Sequence, residues 1–87
     1  LHYRAFFGIA KIYQKERDYK EAKEAYDWSI YLRPSSVEAY IAQGKCEQQM
    51  GNSWKACENW QIAAEKGSQA ALELMQGNCN NFYFAVH

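Results

Sequence analysis

Proline is almost missing from this sequence: Pro34 is the only one among 87 residues. Its scarcity leaves room for uninterrupted helices and marks Arg33-Pro34 as a break, because proline has no N–H and disfavours helix in the residue before it. Histidine is as scarce, with His2 and His87 standing at the two ends. No Cys-x-x-Cys occurs either, so the spacing that holds a metal ion is absent. Without a nearby histidine, no serine or cysteine has the base that a nucleophile needs. Carboxylates are dispersed beside lysines, as Glu21 is near Lys20 and Lys23, which reads as a solvated surface. Neither an enzyme nor a cofactor is expected. Ten basic and ten acidic residues cancel, which argues against a general nucleic-acid or membrane-surface binder. No apolar run approaches the ~20 residues of a membrane span.

Apolar and aromatic residues, in contrast, are plentiful. Hydrophobic residues make up 48%, and the aromatics comprise three Trp, seven Tyr and four Phe. That is enough for one domain over residues 1–87 with a modest core. Phe6, Ile9, Ala10 and Tyr13 recur on one face of a helix, and Ala22, Tyr26, Ser29 and Ile30 do so in the next segment. The expected class is all-α. Helices are expected over 3–16, from an Asp18 cap (with Glu21 completing a capping box) to Leu32, and from Ser35 or Ser36 to Gln49. The Ser35 reading pairs it with Glu38 in a second capping box. A fourth helix starts at Asn52 or Ser53 and ends near Lys66, with Gly67 as a left-handed stop. Ser68 caps a fifth helix through Met75, closed by Gly77, and the tail then carries Phe82-Tyr83-Phe84.

A repeat organises these segments. Shifted by 34 residues, Phe6 falls on Tyr40, Ala10 on Gly44, Ala22 on Ala56, Tyr26 on Trp60 and Ser29 on Ala63. Lys11 falls on Lys45, Gln14 on Gln48 and Glu24 on Glu58. Small residues let helix backbones approach, and the aromatics fill the wedge beside them. Three positions depart from the pattern. Glu47 stands opposite Tyr13, Arg17 opposite the turn residue Gly51, and Ser53 opposite Tyr19. These changes are expected to loosen the second unit unless Trp54 moves in to compensate.

This period and residue order resemble the tetratricopeptide (TPR) repeat over residues 3–70. The resemblance implies repeats at 3–36 and 37–70, a capping helix and tail over 68–87, and a right-handed α-solenoid. It also implies further repeats before Leu1, since about three are needed for stability. The run Ala56-Cys57-Glu58-Asn59-Trp60, then Ala63-Ala64, Gly67 and Cys79, is similar to the closing repeat of many bacterial TPR proteins. A bacterial origin is the corresponding expectation.

Of the three cysteines, Cys57 and Cys79 lie 11 residues either side of Ser68, so a hairpin turning there would bring them face to face. A disulfide closing a loop of about 20 residues would add roughly 3 kcal/mol. Two buried free thiols in a reducing compartment are the alternative. Compartment therefore stays open: cytoplasmic, or periplasmic or exported if the pair is oxidised. Cys46 reads as core.

In TPR proteins the first helix of each pair lines a concave groove that binds peptide or protein segments. The resemblance assigns Arg4, Phe7, Lys11, Gln14 and Lys15 to it from the first unit, and Glu38, Ile41, Lys45, Gln48 and Gln49 from the second. The basic excess suits an acidic peptide, with Phe7 and Ile41 as apolar anchors. Each lysine is also explained by a solvated helix face. The carboxylate clamp of TPR co-chaperones is not reproduced, since Phe7, Lys11 and Ala42 replace its Lys and Asn positions. The expected role is a non-catalytic protein-binding scaffold or adaptor. Two alternatives are a secretion-type chaperone and a self-associating module, the latter forming a homodimer through Trp28, Tyr31, Trp54 or the tail.

Overall fold

The computed structural model describes residues 2–79. Within them are five helices and no strand: α1 (Tyr3–Lys15), α2 (Tyr19–Leu32), α3 (Val37–Gln49), α4 (Ser53–Glu65) and α5 (Gln69–Asn78). Each helix packs mainly on its sequence neighbours. The radius of gyration is 12.3 Å, close to the ~12 Å of a compact chain of this length. The expected tail over residues 80–87 lies outside the described residues.

Three of the four connections use one backbone device. After α1, the Arg17 N–H donates to the Gln14 carbonyl and the Asp18 N–H to the Tyr13 carbonyl. After α3 the same pair runs from Gly51 to Gln48 and from Asn52 to Glu47. After α4 it runs from Gly67 to Ala64 and from Ser68 to Ala63. This is the Schellman arrangement, whose first residue past the cap sits in the left-handed region. Gly51 and Gly67 adopt it at φ 85° and 100°. Arg17 adopts it too, at φ 63°, so the departure from glycine leaves the turn unchanged and costs backbone strain. Leu32 ends α2 differently, through extended Arg33 (φ −142°) before Pro34.

Capping corrects several expectations. Ser36 and Ser68 accept hydrogen bonds from the Ala39 and Ala71 N–H groups, so Ser36 caps α3 alone and no Ser35–Glu38 box forms. Asp18 and Asn52 occupy N-cap positions without a side-chain cap bond. Their backbone N–H groups close the preceding turns, and the Asn52 amide donates instead to Glu47 Oε1 at 2.9 Å. Helix α5 does not stop at Met75, and Gly77 lies inside it. The Asn78 amide donates to the Leu74 carbonyl and the Cys79 N–H to that of Met75, carrying the helix one turn further.

The core falls into two clusters. Ala10, Ala22, Ala25, Tyr26, Ala39 and Cys46 form one; Ala56, Cys57, Trp60, Ala63, Ala71, Met75 and Cys79 form the other. Ser29 fills the slot that Ala63 fills, and its hydroxyl has no hydrogen-bond partner among the described residues. Small size, not hydrogen bonding, sets that position. In the second cluster, Trp60 lies against the bare Cα of Gly44 and donates its indole N–H to the Ile41 carbonyl at 3.2 Å. A Cβ at Gly44 would stand 2.8 Å from Trp60 Cδ1 and closer still to Nε1.

Beside the apolar contact that Ala39 and Cys46 make in the first cluster, α2 and α3 also meet through polar groups. Gln43 donates to the Lys23 carbonyl (3.1 Å) and to Asp27 Oδ1. Glu47, 2% exposed, lies 3.9 Å from Lys23 Nζ while accepting from Asn52. The residue expected to loosen the second unit is therefore buried and paired. At the far end, a disulfide joins Cys57 on α4 to Cys79 just past α5, with Cα atoms 5.9 Å apart.

Three outcomes are expected from chemical or thermal denaturation. Gly44→Ala destabilises by about 1–3 kcal/mol, because the clash falls on a fully buried indole. Arg17→Gly stabilises by roughly 1 kcal/mol, by relieving the left-handed φ. Reducing the Cys57–Cys79 bond, which spans 22 residues, removes about 3 kcal/mol. A native melting curve unchanged by reductant would contradict the last of these.

Candidate functional site

Helix α1 turns one face toward α2 and leaves an adjoining face open beside α3. Along that open face a cleft of ≈ 620 Å³ is lined by Phe7, Lys11, Ile12, Gln14, Lys15, Tyr26, Glu38, Ile41, Ala42 and Lys45. Seven of the ten residues assigned from sequence thus come together: Phe7, Lys11, Gln14, Lys15, Glu38, Ile41 and Lys45. Three do not line it. Arg4 is exposed near the start of α1, Gln49 is exposed at the end of α3, and the Gln48 amide donates to Asn78 Oδ1 at 2.9 Å. Asn78 is available for that bond because α5 runs past Gly77.

Sequence reasoning missed Ile12, Tyr26 and Ala42 as cleft residues. From sequence, Tyr26 reads only as packing, because it matches Trp60 in the repeat. In the structure its ring is met edge-on by Phe7 (centroids 5.6 Å, 67°), and its hydroxyl donates to Gln14 Oε1 at 2.6 Å. Tyr26 therefore ties α2 to the cleft wall. Burial, and secondarily the negative charge of an ionised Cys46, push the Tyr26 phenol well above its usual value, so it stays a neutral donor. Cys46 is buried too, and burial followed by the Glu47 charge raises its thiol to about 11. Such a thiol is a poor nucleophile at neutral pH.

The rim is cationic. Lys11, Lys15 and Lys45 face a single carboxylate, Glu38. The Lys11 ammonium sits 5.3 Å from the Phe7 ring centroid, a contact that holds its stem along the cleft wall. Below the rim, the half-buried Phe7, Ile41 and Ala42 offer apolar contact, and Ile12, 59% exposed, adds apolar surface to the lining. An open cleft with an apolar floor and a basic edge can take an extended or helical segment that carries acidic side chains. No group of three or more His, Cys, Asp or Glu among the described residues is placed to hold a metal ion. No described helix is long and apolar enough to cross a membrane.

No protein-family model matches the chain. No curated protein matches it in sequence.

Proposed function

We propose that the chain is a non-catalytic protein-binding module of the tetratricopeptide type, which holds an acidic segment of a partner protein in the cleft between α1 and α3. One observation carries the reading: three lysines edge a cleft whose floor is apolar, in a protein with no net charge. The architecture that goes with it is two stacked helix pairs, α1–α2 and α3–α4, with α5 covering the last exposed face, forming one domain and a short right-handed solenoid. The 34-residue register supports it, as do the matched small and aromatic positions Ala10 and Gly44, Ala22 and Ala56, and Tyr26 and Trp60. Within this reading Lys11 and Lys45 occupy equivalent slots on successive helices, and a carboxylate pair one turn apart on the ligand would meet both. Phe7 and Ile41 supply the apolar anchor points that orient it.

Peptides selected from a random display library on the native protein are expected to be enriched in Asp and Glu around an apolar residue. In fluorescence polarisation, Lys11→Glu/Lys45→Glu weakens such a peptide by about ten-fold or more and flattens its dependence on salt. Both lysines are exposed, so the variant keeps its fold by circular dichroism. Unchanged affinity would put the binding surface elsewhere.

A further inference from the structure

The outer face of α2 carries the most exposed aromatic rings among the described residues. Tyr31 is 74% exposed and Trp28 55%. Their rings meet at 84° with centroids 5.9 Å apart, forming two walls of a corner. Phe6 on α1 stacks on Trp28 at 5.9 Å and 24°, which holds that wall in place. Asp27 supplies the third side, and the three residues line a shallow cavity of ≈ 460 Å³.

The Asp27 carboxylate is positioned without being covered. Its Oδ1 accepts from the Gln43 amide and its Oδ2 lies 3.8 Å from Lys23 Nζ, while the side chain remains 57% exposed. Lone pairs are left for a further donor. Helical spacing puts Glu24 one turn before Asp27 and Trp28 on the same exposed face, and Glu21 also lies on that side of the helix. Glu21, Glu24 and Asp27 face Lys20 and Lys23, so this face is acidic where the cleft is basic.

Elsewhere the protein covers its half-buried rings with its own cations. Lys11 lies over Phe7, Arg33 over Tyr3 and Lys66 over Tyr40. No cation of the described residues lies over Trp28 or Tyr31, although indole is the strongest cation acceptor of the aromatic side chains.

We infer that the Asp27–Trp28–Tyr31 corner receives an arginine side chain of a partner protein. A guanidinium is planar and weakly hydrated, so it stacks on Trp28 or Tyr31 while directing its N–H fork at the carboxylate. The contact between Arg33 and Tyr3, at 3.8 Å, is the same ring interaction made within the chain. A lysine ammonium lacks the flat face and holds its water more strongly. The corner is open on its remaining sides, so a free small cation would be held weakly. A side chain delivered by a polypeptide gains its remaining affinity from neighbouring contacts. The corner is separate from the α1–α3 cleft and does not depend on what occupies it.

The test is an NMR titration of the ¹⁵N-labelled protein, with the Trp28 indole N–H assigned from the Trp28→Phe spectrum. The probes are acetyl-Gly-Arg-Gly-amide, the same tripeptide with neutral citrulline in place of arginine, and the lysine tripeptide. The arginine peptide is expected to shift the Trp28 signal saturably at about millimolar concentration, with the other two at least ~five-fold weaker. Tyr31→Ala, at a position 74% exposed, should keep a dispersed spectrum and weaken the arginine peptide by about three-fold. Asp27→Asn keeps an oxygen for Gln43 and removes the charge, and should weaken it as well. Absence of a saturable shift, equal response to citrulline, or indifference to both substitutions would each overturn the assignment.

Discussion

The contact between Trp60 and the bare backbone of Gly44 sets the distance between α3 and α4, and much else follows from that distance. The indole fits only because Gly44 has no Cβ, and its N–H finds the Ile41 carbonyl only at that approach. A large apolar ring is buried without leaving its polar atom unpaired, which is what makes Trp acceptable in a small core. From there α4 presents Ala56, Cys57 and Ala63 to α5, whose Ala71 and Met75 complete the cluster beside the disulfide. The first helix pair solves the same problem with different parts. Ala10 stands where Gly44 does and Tyr26 where Trp60 does, and the smaller ring sends its hydroxyl to Gln14. A methyl is tolerated where the ring is smaller.

The two pairs join through Ala39 and Cys46 of α3, which complete the first apolar cluster, and through a polar network beside it. Gln43 and Glu47 on α3 meet Lys23 and Asp27 on α2, and Asn52 reaches back from the following turn to the same Glu47. Burying a carboxylate costs desolvation energy that one lysine at 3.9 Å only partly offsets. Such groups contribute less to stability than to selecting one docking register, because a shifted helix would strand a charge. The network also determines where the surface aromatics go: Asp27, held by Gln43, stands next to Trp28 and one turn before Tyr31.

A neutral chain thus presents two faces of opposite character. The α1–α3 cleft gathers lysines over an apolar floor, and the outer face of α2 gathers carboxylates beside exposed rings. Net charge hides this division, since it reports a sum and not a distribution. A partner with both acidic and basic segments could engage the two surfaces together, and the links made independently would reinforce each other.

Helix positions were legible in the sequence because they rest on local periodicity, and most of the cleft was legible through the repeat resemblance. Small and aromatic residues recur at 34-residue intervals, Gly51 and Gly67 mark left-handed turns, and the resemblance to the tetratricopeptide repeat implies Phe7, Lys11, Glu38 and Lys45 as groove residues. Other features depend on atoms distant in the chain. Arg17 takes a glycine's conformation because the Gln14 and Tyr13 carbonyls are positioned to accept its turn's N–H groups. Asn52 abandons capping because Glu47 needs a donor, and Gln48 leaves the cleft because α5 extends to Asn78. The sequence by itself determined which segments are helical and which faces are apolar, since backbone sterics and the helical period act over a few residues. The tertiary structure alone decided which polar side chains are buried, paired or free, because hydrogen bonds and desolvation are settled only when two helices meet.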